Sequence, residues 1–382
     1  MPAPETDARW MGRALALARR AEGRTSPNPL VGAVLVRNGR AVGEGYHKGP
    51  GRPHAEVEAL QAAAAAGAKA RGATLYVTLE PCTHTDKRTP PCAPAVIRAG
   101  LERVVVGMAD PNPRVAGDGI RALREAGVPT ETGCLEDACH ALNAPYVRAM
   151  TTGLPWVTLK VAQTLDGKVA TASGASRWIT GEAARRHGHG LRARSDVILV
   201  GVGTVKADDP ALTCRLVRGR DPVRVVVDAR LETPPAARVL TEPARVPTIL
   251  SALEGADPER ARRLEAVGAR VLPLPGAEGR ADVGRVDLEA LLRALVREGW
   301  HRVLCEGGPK LASELVRRRL VNRVAFYLAP RILGGDDARG SVAGASPAAL
   351  SDALDLGRLR VRRLGPDVLI EADVPDAART DA

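Results

Sequence analysis

The segment Thr151-Thr152-Gly153-Leu154-Pro155 constrains the fold of this chain most, because one alternation of helices and strands runs up to it and a second begins beyond it. Gly and Pro two residues apart end a helix and redirect the backbone. Before the break, a helix is predicted at 7–21 and a strand at 31–37. An antiparallel return follows at 40–47 across the Asn38-Gly39 hairpin turn. A helix at 54–66, a strand at 74–78, a short helix from Pro91, a strand at 103–107, a helix at 118–126 and a terminal helix at 135–150 complete this half. Beyond the break, strands are predicted at 156–162, 197–200, 223–228 and 302–306, with helices near 180–194, 287–298 and 310–318. The stretch at 230–285 is rich in Pro, Gly and Ala and has no clear period. Two α/β domains are expected, at 1–150 and 155–375, with a tail at 376–382. A chain of 382 residues is long enough to bury a core in each.

Only nine residues are aromatic, so those cores must rest on Val, Leu, Ile and Ala. The net charge of +11 comes almost wholly from Arg. Such a surplus can serve nucleic acid or anionic small molecules, or reflect a codon bias towards Arg and Ala. The arginines are scattered, with no aromatic side chains between them to stack on bases, and charge alone decides nothing. Six cysteines in a chain this long form no disulfide framework and are expected to be reduced or metal-bound. No apolar run approaches the roughly 20 residues of a membrane span. Near the start, Trp10, Met11, Ala14, Leu15 and Ala18 fall at helical spacing, with Glu5, Asp7 and Glu22 among them, unlike a targeting segment. A cytoplasmic protein without a membrane partner is expected.

The first half carries a metal-like donor set. His54 and Glu56 open a predicted helix, Cys82 follows a predicted strand in Glu80-Pro81-Cys82, and Cys92 starts a helix after Pro90-Pro91. One imidazole and two thiolates fill three tetrahedral positions on zinc and leave the fourth for water, whose pKa the ion lowers steeply. Glu56, two residues after His54, could move protons without binding the metal. A lone His or Cys means little. The ordered combination of His-x-Glu and Pro-Cys matches zinc nucleobase deaminases.

The match extends further along the chain. Ser26-Pro27-Asn28-Pro29-Leu30-Val31-Gly32, Gly43-Glu44-Gly45-Tyr46-His47, His54-Ala55-Glu56-Val57, Thr78-Leu79-Glu80-Pro81-Cys82-Thr83-His84, Arg88-Thr89-Pro90-Pro91-Cys92 and Asp110-Pro111-Asn112-Pro113 occur in that order. Together they resemble the deaminase half of the bifunctional deaminase/reductase of riboflavin biosynthesis. The resemblance implies a cytidine-deaminase-like α/β/α domain, with His54, Cys82 and Cys92 as ligands of one zinc ion and Glu56 as proton carrier. It puts Asn28, His47, His84, Asp110 and Asn112 against the substrate. Nine residues separate Cys82 from Cys92, against two in most deaminases and about eight in this family. Asp86-Lys87 stands where a Gly is expected. The extra residue need not move either ligand, since both are anchored on regular elements.

The second half carries another ordered set. Leu159-Lys160-Val161-Ala162-Gln163-Thr164-Leu165-Asp166-Gly167-Lys168 leads into Ser173-Gly174-Ala175-Ser176-Arg177-Trp178-Ile179-Thr180-Gly181. Then come Leu191-Arg192-Ala193, Val200-Gly201-Val202-Gly203-Thr204-Val205-Lys206-Ala207-Asp208-Asp209-Pro210 and Leu304-Cys305-Glu306-Gly307-Gly308-Pro309. A glycine pair between strand and helix lets backbone N–H groups approach a diphosphate. Lys206 replaces the third glycine of a GxGxxG fingerprint, so no ordinary Rossmann site is expected.

The series resembles the reductase half of the same family, which implies a dihydrofolate-reductase-like α/β domain that uses NADPH. By that resemblance Ala162, Trp178, Thr204, Asp208 and the segment Gly308, Pro309, Lys310, Leu311, Ala312, Ser313 and Glu314 hold NADPH. Ser176, Arg192, Leu212, Arg215 and Glu306 hold the substrate, with the two arginines on its phosphate. The implied chemistry is deamination of 2,5-diamino-6-(5-phosphoribosylamino)pyrimidin-4(3H)-one and then reduction of the ribosyl to a ribityl group. Sugar-ring opening precedes the hydride transfer, with Asp208 and Glu306 as candidate acids. The partners implied are small phosphorylated pyrimidines, not nucleic acid, and a homo-oligomer, dimer or tetramer, is expected. Cys134, Cys139, Cys214 and Cys305 have no ligand-like neighbours in sequence and are expected to be structural. A nucleic-acid base deaminase with an accessory C-terminal domain is the rival reading. It leaves the second motif series unexplained.

Overall fold

Residues 4–83, 89–113, 115–242, 246–277 and 284–375 are described by the computed structural model, which divides into two units, Met1–Leu154 and Pro155–Ala382. The tail at 376–382 lies outside the described residues.

In the first unit, β1 (Gly32–Arg37), β2 (Arg40–Tyr46), β3 (Thr74–Leu79), β4 (Arg103–Met108) and β5 (Thr130–Thr132) form one sheet in the order β2-β1-β3-β4-β5. β1 runs antiparallel to β2 and β3, while β3, β4 and β5 are parallel. The β1–β2 turn rests on Asn38 and Gly39 with φ of 51° and 68°, the left-handed pair that a two-residue hairpin requires. The helices are α1 (Pro4–Arg19), α2 (Ala55–Ala65), α3 (Ala93–Arg98), α4 (Asp118–Glu125), α5 (Glu136–Leu142) and α6 (Ala144–Thr152).

Glycines show which helix covers which face. A Cβ at Gly32 would lie 2.0 Å from the Ala14 carbonyl oxygen on α1, whereas Cβ atoms at Gly43 and Gly45 would lie 2.2 and 2.4 Å from the Ala59 and Ala55 carbonyl oxygens on α2. Gly45 pairs with Ala33, the residue after Gly32. Successive strand residues face opposite ways, so α1 and α2 cover opposite faces. Ala55, Ala59 and Ala63, all buried, form the stripe by which α2 meets the glycines of β2. The core contains Leu35, Leu75, Val77, Val104, Val106, Met108 and Leu123, with Trp10 and Tyr76 as its buried aromatic members.

The helix predicted at 135–150 is two helices, broken at Asn143. Pro145 has no N–H to continue the ladder. The Asn143 side chain pairs with Leu30 instead, accepting from its N–H at 2.8 Å and donating to its carbonyl at 2.9 Å. Asn143 is 1% exposed, so the break satisfies two buried backbone groups of another segment.

In the second unit, β6 (Trp156–Thr164), β7 (Lys168–Ala170), β8 (Val197–Gly201), β9 (Val223–Val227), β10 (Thr248–Leu253), β11 (Ala269–Leu274), β12 (Arg302–Cys305), β13 (Arg323–Ala329), β14 (Arg339–Gly340), β15 (Arg360–Leu364) and β16 (Asp367–Asp373) are the strands. Nine of them form a sheet in the order β11-β10-β9-β8-β12-β6-β13-β16-β15, and β14 pairs with β7. The run from β11 to β13 is parallel; β16 and β15 add antiparallel pairs. Buried, nearly unbroken apolar strands such as β8 and β9 suit a sheet covered on both faces. The helices are α7 (Glu182–Arg194), α8 (Val202–Asp208), α9 (Arg238–Thr241), α10 (Pro258–Glu265), α11 (Leu288–Arg297) and α12 (Pro309–Arg317). The unreadable stretch at 230–285 supplies β10, α10 and β11, which extend the parallel sheet at one edge.

Candidate active sites

Three elements of the first unit deliver a donor cluster. His54 caps α2, Cys92 caps α3, and Cys82 lies just past the carboxyl end of β3. His54 Nδ1 is 3.0 Å from Cys92 Sγ and 3.5 Å from Cys82 Sγ, and all three donor atoms lie within 4.8 Å of one another. Zn–S near 2.3 Å and Zn–N near 2.0 Å, at tetrahedral angles, separate donors by about 3.5–3.8 Å. The cluster therefore fits one zinc ion. His54 Nε2 lies 3.1 Å from Thr89 Oγ1, a partner that leaves Nδ1 to face the thiols. Cys92 N–H points at Cys82 Sγ, 3.4 Å away. Glu56 sits in the first turn of α2 and is 3% exposed.

Two loops approach this cluster. Asn28 Nδ2 donates to His47 Nε2 at 2.9 Å, and His47 Nδ1 donates to the Pro53 carbonyl at 3.2 Å. Both ring nitrogens thus have hydrogen-bond partners, which fix the orientation of the ring. The His47 ring meets the His54 ring edge-on, 5.2 Å between centroids. On the second loop, Asp110 Oδ1 accepts from the Asn112 N–H and from the Tyr146 hydroxyl, each at 2.9 Å. Burial and the Asp110 charge push the Tyr146 hydroxyl pKa well up, so it stays a donor. The halves of the broken helix thus brace both loops, Asn143 through Leu30 and Tyr146 through Asp110. His84, Lys87 and Arg88 lie outside the described residues. Thr89, Tyr146 and Asn143 are positional residues that sequence reasoning missed. Of these, only Thr89 stands inside a motif.

In the second unit, the neighbouring strands β8, β12 and β6 place Glu306 at the carboxyl end of β12, the usual place for a ligand in a parallel sheet. Glu306, directly after β12, receives Arg192 Nε on Oε1 at 2.7 Å, Arg192 Nη2 on Oε2 at 3.1 Å and Lys160 Nζ on Oε2 at 3.2 Å. Burial opposes its ionisation, but the Arg192 and Lys160 charges outweigh it and hold the carboxyl far below the usual range. Glu306 is therefore an acceptor here, not the proton donor considered from sequence. Arg192 Nη1 donates to the Thr213 carbonyl at 3.0 Å, which commits its remaining face. Arg215 donates to Thr213 Oγ1 at 2.9 Å, and burial with the nearby Arg192 charge lowers its pKa. That leaves Arg215 better disposed than Arg192 to meet an anion. Lys160, within a quoted motif but given no role, belongs to the cluster; its ammonium lies 5.7 Å from the Tyr327 ring centroid.

Ser176 donates to Asp208 Oδ1 at 3.0 Å. A Cβ at Gly308 would lie 3.3 Å from Thr204 Oγ1, so α8 and the start of α12 meet at the glycine turn. Trp178 is 60% exposed, with the Arg185 guanidinium 4.7 Å from its ring centroid, so it is surface and not core. Leu212, Leu311 and Ala312 are buried. Glu314 is engaged by Arg317 and Arg318. Among the other cysteines, burial pushes the Cys139 and Cys305 thiols up to about 12 and Cys214 up to about 11, which suits structural thiols.

Comparison with known proteins places both units. The RibD C-terminal domain family matches residues 155–370, and the cytidine and deoxycytidylate deaminase zinc-binding region matches residues 4–108. The riboflavin biosynthesis protein RibD of Bacillus amyloliquefaciens is 42% identical over 373 residues, covering 97% of each chain. The chain belongs to the RibD family. RibD of Escherichia coli (strain K12) is 40% identical over 378 residues, covering 95% of this chain and 98% of its own. The RibD structure from Acinetobacter baumannii superposes with a TM-score of 0.86 at 37% identity, covering 98% of this chain and 100% of its own. A deaminase/reductase structure from Thermotoga maritima gives a TM-score of 0.83 at 35% identity, covering 97% and 99%. As a RibD-family member the chain is a bifunctional deaminase and reductase of riboflavin biosynthesis, with a zinc-binding deaminase domain ahead of its reductase domain.

Proposed function

We propose that the first unit deaminates diaminohydroxyphosphoribosylaminopyrimidine and that the second reduces 5-amino-6-(5-phosphoribosylamino)uracil, the activities named for the Thermotoga maritima protein. His54, Cys82 and Cys92 hold one zinc ion per chain, which when bound supplies a water that ionises near neutral pH. Glu56 carries a proton between that water and the departing amino group. Asn28, His47, Asp110 and Asn112, with His84, orient the pyrimidine. In the second unit Ala162, Trp178, Thr204, Asp208 and residues 308–314 hold NADPH, which when bound supplies a hydride for C1′ of the opened sugar. Ser176, Arg192, Leu212, Arg215 and Glu306 hold the substrate. With Glu306 kept ionised, Asp208 is the remaining acid for ring opening.

The observation that carries the deaminase half is the set of His54, Cys82 and Cys92 donors within 4.8 Å of one another, with Glu56 buried in the first turn of the helix that His54 caps. A reducing, cytoplasmic setting suits Cys82 and Cys92 as metal-binding thiolates and the other four cysteines as reduced thiols. Glu56→Gln is the test. Zinc content stays at about one per chain, deamination falls about 10²–10⁴-fold, and NADPH oxidation on deaminated substrate persists. Unchanged deamination would remove Glu56 from the mechanism.

A further inference from the structure

Glu80 lies between β3 and Cys82, is 3% exposed, and takes no part in the chemistry described above. Its carboxylate faces four backbone N–H groups. Oε2 accepts from Asp110 and Gly117, each at 3.0 Å, and Oε1 accepts from Gly119 at 2.7 Å and Ile120 at 3.2 Å. A carboxylate offers about four lone-pair sites, so these donors take up its capacity. They come from both ends of one segment: Asp110 just past β4, and Gly117 to Ile120 at the start of α4. The chain between them carries Asn112.

The glycines fit this wrapping. Gly117 sits in the left-handed region at φ 89°. A Cβ at Gly119 would lie 1.8 Å from the Pro81 carbonyl oxygen, so no side chain could stand there with the N–H still aimed at Glu80. Two residues beyond Glu80 the same chain presents Cys82 to the donor cluster.

We propose that Glu80 is a positioning residue for deamination: its carboxylate fixes the loop carrying Asp110 and Asn112 relative to Cys82. This rests on the reading that Asp110 and Asn112 meet the pyrimidine. A cap serving only α4 would use Gly119 and Ile120; the Asp110 bond ties the substrate loop to the metal-ligand strand.

Glu80→Gln is the isosteric test, because one oxygen becomes an NH2 facing two N–H donors. Ammonia release on diaminohydroxyphosphoribosylaminopyrimidine should show KM raised at least tenfold with a smaller fall in kcat. Zinc per chain and reductase turnover of deaminated substrate should be unchanged. Amide hydrogen exchange should quicken at Asp110 and Gly117 while β3 stays protected. Glu80→Asp, which keeps the charge one methylene short, should give an intermediate KM and serves if the Gln variant folds poorly. An unchanged KM with a lower melting temperature would reduce Glu80 to a structural cap and overturn the proposal. Loss of zinc in both variants, in proportion to activity, would overturn it as well. If the wild-type enzyme released no ammonia, the deaminase reading itself would fail, a separate outcome.

Discussion

Glu306→Gln should cost the second unit about 3–5 kcal/mol, the range for breaking a buried ion pair from one side. The Glu306 side chain is 10% exposed, with Arg192 at 14% and Lys160 at 21%. Removing the negative charge strands two cations that water barely reaches, and turns an amide NH2 towards one of them. With an urea m-value of about 2 kcal/mol/M, the midpoint falls by about 2 M. Tryptophan fluorescence follows this unit well, since Trp156, Trp178 and Trp300 lie in it and only Trp10 lies in the other. The carboxyl pKa is depressed, so its stabilisation is present above the unfolded value and lost only as pH falls through the folded one. The deficit of the variant should therefore be the same at pH 6 and pH 8. Adding Lys160→Met to Glu306→Gln should recover part of the loss, because one stranded cation disappears. A midpoint shift below about 0.5 M would mean that the three groups pair as exposed ions do, and would refute the reasoning.

Two further outcomes follow from buried polar groups. Burial, with the Arg192 charge next, lowers His189 to about 4, and its Nδ1 accepts the Arg215 N–H at 3.0 Å. Between pH 4 and the unfolded value near 6.5 the unfolded chain binds more protons, so stability rises with pH across that window by on the order of 3 kcal/mol. His189→Gln should flatten that part of the urea-stability profile; an unchanged slope would clear His189. Asn143→Ala orphans both backbone groups of Leu30 and should destabilise the first unit by about 2–4 kcal/mol, read as a lower melting temperature by circular dichroism. A change within a few tenths would show that water replaces the side chain.

The parts of this enzyme legible in sequence are those whose cause is local. Asn38-Gly39 demands a left-handed turn, and His54 and Cys92 sit where helices begin, so the donor cluster follows from residue types and element ends. The break between α5 and α6 could not be read, because the partner of Asn143 is 113 positions away. Lys160 gives no sign in sequence that it faces a carboxylate 146 positions on. Strands β10 and β11, the last two on one side of the sheet, were hidden by the surrounding Pro, Gly and Ala. Asp257-Pro258 was nevertheless a usable signal, since Asp257 caps α10 by accepting from the Glu259 N–H at 2.9 Å. Gly43 and Gly45 were visible as a motif. Their reason, the close approach of α2, needed the structure.

The most direct test of two activities in one chain is a coupled time course. The full-length enzyme is given diaminohydroxyphosphoribosylaminopyrimidine and NADPH, and metal content, ammonia and NADPH absorbance are followed on one preparation. About one zinc per chain, with ammonia appearing first and NADPH oxidation following it, is the predicted result. A zinc-loaded, folded preparation that releases no ammonia and oxidises no NADPH would contradict the account.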